Sequence, residues 1–111
     1  MSVISRSISI AAAIALAGSA TSTANAAGRE EVVTIANMNF GKIPAGLKVG
    51  DSIVWVNKDS VPHTVTARDH SFDLRLNPGQ RARMTLNKAG TFAVYCIIHA
   101  PMRTTLTVAA K

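Results

Sequence analysis

The chain has 111 residues, enough for one domain and too few for two. Its 12 Lys and Arg outnumber 6 Asp and Glu, giving a formal net charge of +6. The basic residues are scattered and few aromatic residues lie among them, so the composition excludes a basic stacking face and predicts no nucleic-acid partner. The excess positive charge is typical of a solvated surface, and it also favours encounters with acidic partner proteins.

The first 26 residues have the three parts of a secretory signal peptide. Arg6 gives a positive n-region, residues 8–17 form an apolar h-region, and Ala24-Asn25-Ala26 supplies the small-x-small cleavage pattern. The alternative is a retained membrane anchor, but an apolar run of about ten residues is half of the about 20 that a span needs. We therefore predict a signal peptide at 1–26 and an exported, periplasmic domain at 27–111 with no membrane span after cleavage.

Short extended segments separated by turns follow in chain order. The first is the β-branched run Val32–Ile35, and the second is Ser52–Val56, a strong strand candidate. Turn-forming side chains occupy Asn57–Ser60. The next extended piece is Val61–Ala67, and Pro62 confines its start to a sheet edge or an irregular entry.

The second half of the chain shows clearer alternation. Asn77–Gln80 has Pro and Gly in the positions that a type II turn requires. Apolar and polar residues then alternate over Arg81–Leu86, which predicts a half-buried strand. A turn at Asn87–Gly90 separates it from a strand at Thr91–Cys96, and a last strand is predicted at Arg103–Ala109.

These segments together predict the fold class. The least periodic segment is Asp69–Asp73, where we expect a loop or one helical turn. Apart from the predicted signal peptide, the sequence offers no capped helix of three turns. About seven to eight short strands at this spacing predict an all-β sandwich of two sheets.

Cys96 is the only cysteine, so an internal disulfide cannot stabilise this small domain. It begins the segment Cys96–Met102, in which a thiol, an imidazole (His99) and a thioether are each three residues apart. The segment lies between two predicted strands and can curl around one ion, with His63 as the fourth ligand. Two imidazoles, one thiolate and a weak thioether form the blue-copper donor set. Zinc is the competing metal, but a thioether is a poor donor to zinc.

Each candidate ligand also has a structural interpretation. Met102 alone would fill the core, and His63 alone would be a partly buried, hydrogen-bonded imidazole. Cys96 and His99 alone could form a nucleophilic dyad. The joint spacing favours the metal site, because a dyad has no use for Met102. Four protein ligands would leave no position on the metal for a substrate, so we predict a protein that is not an enzyme. The other candidate ligands are interpreted as structural: His70 on a loop surface, Met84 in the core and Met38 in packing.

Several motifs between about Val32 and Ala109 resemble those of a cupredoxin, most similar to the small amicyanin and pseudoazurin group. The motifs are Gly50-Asp51-Ser52-Ile53-Val54-Trp55-Val56-Asn57, Pro62-His63, Pro78-Gly79-Gln80, Ala89-Gly90-Thr91-Phe92 and the Cys96–Met102 loop. Two positions depart from the family pattern. Ile97 stands where a hydroxyl side chain is common, and Pro101 follows the second histidine one residue later than usual.

The resemblance implies a Greek-key β-sandwich with one type 1 copper ion that cycles between Cu(I) and Cu(II). In it, His63, Cys96 and His99 would be equatorial ligands and Met102 the axial ligand. It also implies that Asn57 hydrogen-bonds the His63 strand to the cysteine loop. The function implied is a monomeric, periplasmic carrier of single electrons between redox proteins. A copper carrier or storage protein without electron transfer is the alternative.

The resemblance also implies how partners would dock. The edge of His99 would be the electron port, inside a small apolar patch of Pro62, Ala100 and Pro101. Arg68 and Arg103 lie close to the ligands in sequence and would add a basic rim that attracts acidic docking surfaces.

Overall fold

The computed structural model describes residues 28–111. The predicted signal peptide at 1–26 lies outside the described residues. Within residues 28–111 the chain forms β-strands and turns with no helix, which confirms the all-β prediction. The part described therefore contains no helix long and apolar enough to cross a membrane. The eight strands of the described residues are β1 (Glu30–Ala36), β2 (Asn39–Phe40), β3 (Ser52–Asn57), β4 (His63–Ala67), β5 (Asp73–Leu76), β6 (Arg81–Thr85), β7 (Gly90–Tyr95) and β8 (Arg103–Val108).

The strands form two sheets, as predicted, with four strands in each. One sheet has the order β2-β1-β3-β6 and the other β5-β4-β7-β8. β1 runs parallel to β3, from Glu30 opposite Ser52 to Ile35 opposite Asn57, and the other strand pairs are antiparallel. Since β4 and β7 are neighbours, the start of β4 and the end of β7 meet at one end of the sandwich.

The hydrophobic core lies between the two sheets and extends to the end of the sandwich where the start of β4 meets the end of β7. β3 is buried along its whole length, and its Trp55 is fully buried with its ring 6.1 Å from Phe40 in an edge-on contact. Both sheets contribute fully buried apolar side chains, among them Val33, Ile35, Ile53, Val65, Leu76, Val94 and Leu106. Cys96 and Met102 belong to the same cluster, so the candidate metal ligands are continuous with the core.

The predicted turn at Asn77–Gln80 is present. The Gln80 N–H donates to the carbonyl of Asn77 at 2.9 Å, and Gly79 has a φ of 78°. A type II turn needs positive φ at its third residue, which glycine adopts without steric cost. The same turn bonds to β3, because the Gly79 N–H donates to the Asn57 carbonyl at 2.8 Å.

The structure contains an edge strand where the sequence predicted only the end of a loop. β5 begins at Asp73, and its residues alternate between exposed and more buried positions as they pair with β4. Only four residues long, it has two apolar side chains, too few for a clear period. The turn before it contains His70, which is exposed as expected and has a φ of 69°.

The structure also contains a hairpin that the sequence did not predict. β1 and the two-residue β2 are joined by Asn37 and Met38, whose φ values are 53° and 61°. Two consecutive positive φ values are typical of the tight hairpin turns that match strand twist. Met38 remains 40 % exposed at the tip, so its assignment to packing was wrong.

Candidate metal centre

The candidate ligands come from two neighbouring strands. His63 is the first residue of β4, and Cys96 follows directly after β7. The segment Cys96–Met102 forms a closed loop, because the Met102 N–H donates to the His99 carbonyl at 2.9 Å and the Cys96 N–H to the Met102 carbonyl at 3.2 Å. The closed loop folds His99 back towards the start of β4.

Three of the four predicted ligands converge on one point. The Cys96 Sγ lies 3.9 Å from His63 Nδ1 and 3.8 Å from His99 Nδ1, and the three ligand atoms lie within 4.8 Å of one another. Metal bonds of about 2.3 Å to sulfur and about 2.0 Å to nitrogen, as found for zinc, separate the two atoms by about 3.7 Å at a trigonal angle. The observed distances therefore fit one metal ion bound by all three atoms.

Met102, the fourth predicted ligand, is 4 % exposed and ends the same loop. With it the donor set is two imidazoles, one thiol and one thioether, the set of a type 1 copper site. His63 and Cys96 are fully buried, whereas His99 is half-buried. The His99 ring lies 5.1 Å from the His63 ring and forms the outer side of the cluster.

The surroundings of Cys96 favour the thiolate, which is the form that binds metals. Burial raises the pKa of the thiol, but hydrogen bonds outweigh it. The Thr64 N–H donates to Sγ at 3.3 Å, and the imidazoles of His63 and His99 face the same atom. Together they lower the pKa of Cys96 from 9.0 to about 6.

We expect the lowered pKa of Cys96 to be visible in a titration of the metal-free protein. Ultraviolet absorbance of the Cys96 thiolate should appear with a midpoint near pH 6, since its pKa is lowered to about 6. Above this pH the thiolate is ready to bind a metal, and below it a proton competes for the sulfur. In denaturant the midpoint should rise to about 9, the ordinary pKa of the thiol. Equal midpoints in the two conditions would contradict this prediction.

A carboxylate contacts the far side of the His63 ring. His63 Nε2 lies 2.8 Å from Asp59 Oδ2, and the two Asp59 oxygens also accept the N–H groups of Asn37 (2.7 Å) and Met38 (2.9 Å). The Met38 N–H, followed by the His63 side chain, lowers the pKa of Asp59 below its ordinary value. Asp59 is therefore ionised at neutral pH.

The resemblance implied the wrong hydrogen-bond partner for Asn57. The Asn57 Nδ2 donates to the carbonyls of Val61 (2.8 Å) and Leu76 (3.1 Å), and its Oδ1 accepts the Asp59 N–H at 2.9 Å. It thus holds the β3–β4 turn rather than the cysteine loop. Thr64 makes the link to that loop.

The Thr64 Oγ1 accepts the Ile97 N–H at 2.8 Å, while the Thr64 N–H donates to Cys96 Sγ. Sequence reasoning missed both Thr64 and Asp59. A polar residue directly after His63 and an acidic residue in the turn before it were the available signals.

The outer side of the cluster opens on a shallow surface groove. Ile98 at 42 % and Met38 at 40 % exposure are its large exposed apolar side chains. The groove is lined by Met38, Asn39, Ile98, His99, Ala100, Pro101 and Met102. The half-buried His99 is therefore the ligand nearest to solvent in an apolar setting.

Two arginines flank the residue before the cysteine. The Arg68 guanidinium lies 4.0 Å from the centre of the Tyr95 ring, a cation–π contact. Arg103 is the cross-strand neighbour of Tyr95 in β8. Neither arginine is in an ion pair within residues 28–111, where Arg29 and Arg83 pair with glutamates. The two positive charges therefore lie beside Tyr95 without an ion-pair partner among these residues.

Comparisons with known proteins agree with the geometry. A family model for the cupredoxin-like domain matches residues 9–108. The curated amicyanin of Paracoccus denitrificans is 30 % identical over 78 residues, which cover 65 % of this chain. The match spans 60 % of the length of that relative.

Solved structures show the same fold. A Cu(I) form of an amicyanin variant is 31 % identical over 74 % of this chain and 84 % of its own, with a TM-score of 0.62. A copper-containing nitrite reductase from Thermus scotoductus matches at 24 % identity and a TM-score of 0.64, covering 71 % of this chain and 22 % of its own, and shares the fold alone. With a family model matching nearly the whole chain, this protein belongs to the cupredoxin-like family.

Proposed function

We propose that this protein is an electron carrier that holds one copper ion at His63, Cys96, His99 and Met102. The observation that carries the proposal is the convergence of His63, Cys96 and His99, whose ligand atoms lie within 4.8 Å of one another, with Met102 buried at the end of the loop that carries Cys96 and His99. Bound there, copper supplies single-electron chemistry between Cu(I) and Cu(II).

The protein residues favour carriage over catalysis. Four side chains would fill the ligand positions, whereas catalytic metal sites keep one position open for water or substrate. His63 and Cys96 are fully buried, and backbone hydrogen bonds close the loop that carries His99. Ligands held in this way move little when the charge of the site changes. The protein is therefore proposed not to be an enzyme.

The exposed edge of the site supports exchange with other proteins. His99 is half-buried within the apolar groove, so a partner docked there would approach a ligand directly. The solved amicyanin variants include a Cu(I) form and an oxidized state, consistent with a site that accepts both charges. Redox proteins are accordingly the proposed partners.

The proposed partners have acidic docking surfaces, and this is testable with small redox reagents. Because Arg68 and Arg103 are uncompensated, oxidation by the anion ferricyanide should slow as salt screens the attraction. Arg103→Glu should slow it several-fold at low salt, measured by stopped-flow absorbance. Lys88→Glu is the matched control, since Lys88 lies in the β6–β7 turn at the opposite end of β7. Equal slowing in the two variants would contradict a local basic rim.

The proposed location is the periplasm, with the domain beginning at Ala27 after cleavage of residues 1–26. The signal-peptide pattern supports this, and the proposed mature form is a monomer. Mass spectrometry of protein recovered from the periplasmic fraction tests the boundary directly. A chain that retains residues 1–26 would contradict cleavage.

Spectroscopy of the copper-loaded protein tests the function. An electron carrier should give an intense thiolate-to-copper band and narrow hyperfine splitting in electron paramagnetic resonance. A mild reductant should bleach the band and an oxidant should restore it without loss of metal. A colourless or irreversible product would contradict the proposal and favour a copper carrier or storage protein.

A further inference from the structure

We propose that Met38 is an entry ligand for Cu(I), whose thioether takes the ion from a donor and passes it to His99 and Met102. The proposal rests on the proposed function for the identity of the final site, because copper is the metal proposed there. It is carried by the place of Met38 in the fold. This exposed thioether lines the same groove as two of the four candidate ligands.

The burial of the final site makes a separate entry ligand useful. His63 and Cys96 are fully buried and Met102 is 4 % exposed, whereas His99 is half-buried. An ion arriving from solvent therefore meets the groove before it meets most of its final ligands. A donor atom exposed in the groove would hold the ion there and raise its effective concentration beside the buried ligands.

The donor atoms in the groove are suited to a soft ion. They are the thioethers of Met38 and Met102, the imidazole of His99 and the side-chain amide of Asn39, and no carboxylate is among the described residues that line the groove. Magnesium and calcium require several oxygen ligands, usually with carboxylates among them. Thioether ligands instead select Cu(I). The groove therefore fits Cu(I) better than a hard divalent cation.

Met38 is held in the groove by an unfavourable backbone conformation. With φ values of 53° and 61°, Asn37 and Met38 form a turn in which Asn followed by Gly is the preferred pair. Because Met38 remains 40 % exposed, burial of its side chain does little to offset this cost. The Asp59 carboxylate fixes the turn by accepting the N–H groups of both residues. A glycine would suit the backbone better, but it would offer no ligand.

The proposed transfer exchanges ligands and leaves the oxidation state of copper unchanged. Met38 Sδ forms a bond to Cu(I) as one ligand of the donor leaves, and this bond breaks once His99 and Met102 bind the ion. A neutral thioether is a weak ligand and releases the ion readily. Met38 is not one of the four final ligands, so it should affect the rate of copper uptake and not the final site.

The first test measures how fast the metal-free protein removes Cu(I) from its bicinchoninate complex, followed by the loss of colour of that complex in a stopped-flow instrument. Met38→Leu keeps an apolar side chain of similar size and removes the sulfur. We expect uptake to slow several-fold, with the same final copper content and the same thiolate band after oxidation.

Met84→Leu is the matched control, because Met84 lies in β6 and packs against the core outside the groove. Its uptake should proceed at the wild-type rate. Equal rates in wild type and Met38→Leu would overturn the proposal and leave Met38 as an apolar surface residue. A wild-type protein that takes up Cu(I) but never forms the thiolate band would instead contradict the proposed function.

The second test detects the ion on Met38 directly. Ag(I) is a soft monovalent probe, and Cys96→Ser weakens the final site so that an ion stays longer in the groove. In NMR spectra of carbon-13-labelled methionine methyl groups, added Ag(I) should shift the Met38 signal and leave the Met84 signal in place. A Met38 signal that does not move while Met102 responds would overturn the entry role.

Discussion

Replacing Cys96 by serine should abolish the intense thiolate-to-copper band and weaken Cu(I) binding by more than about 100-fold. Removing a residue that only orients a ligand lowers metal affinity by about 10- to 100-fold, and removing a ligand should lower it further. A serine hydroxyl stays protonated at neutral pH and offers no soft donor, so both the colour and the preference for copper(I) depend on the sulfur. The fold should persist, because the Thr64 N–H can donate to the serine oxygen as it does to Sγ. Visible absorption, a competition titration with a Cu(I) chelator and circular dichroism measure the three effects.

The control for this variant is His70→Ala. His70 is a histidine in the β4–β5 turn, exposed and distant from the loop that carries Cys96 and His99. Its removal should leave both the band and the affinity unchanged. An intense band retained in Cys96→Ser would show that the colour arises elsewhere, and it would remove the basis for assigning the site.

Replacing Asn57 by alanine should give the largest loss of stability of any polar substitution near the site. The fully buried side chain bonds the Val61 and Leu76 carbonyls and the Asp59 N–H. Alanine leaves these groups without a partner, and one unsatisfied buried group costs about 1–3 kcal/mol. We expect the free energy of unfolding to fall by about 3 kcal/mol or more. Urea unfolding of the metal-free protein measures it.

Asn39→Ala is the matched control for that loss. The Asn39 side chain donates only to the Asn37 carbonyl at 3.1 Å on the exposed hairpin. Its removal should change the stability by no more than about 0.5 kcal/mol, as at most surface positions. If both variants lost the same stability, the hydrogen bonds of Asn57 would not be responsible.

Local patterns in the sequence predicted most of the sandwich. β6 and β8 alternate cleanly because one side of each strand packs on the core and the other meets solvent. β5 has only two apolar residues, and β2 has two residues in total, so neither carries a readable period. Their pairing depends on the neighbouring strands, which no local pattern contains.

The candidate site likewise contains residues that the sequence predicted and residues that it did not. The spacing of Cys96, His99 and Met102 within one loop made this part of the donor set readable, since one loop can bring such neighbours to one point. Thr64 and Asp59 could not be identified in this manner. Their hydrogen bonds reach Ile97, Asn37 and Met38, residues brought near only by the packing of β4 against β7 and by the β1–β2 hairpin.

The pairing of β4 with β7 has a consequence for the order of folding. The paired residues are Thr66 with Tyr95 and Ala67 with Val94, and two other strands, β5 and β6, lie between them in the chain. Such non-local pairing forms slowly, because the intervening chain must first lose its freedom. Until it forms, the thiol of Cys96 is open to oxidants, which convert an accessible thiolate to sulfenic acid and beyond. Slow pairing of β4 with β7 would therefore lengthen the time during which the Cys96 thiol is accessible to oxidants.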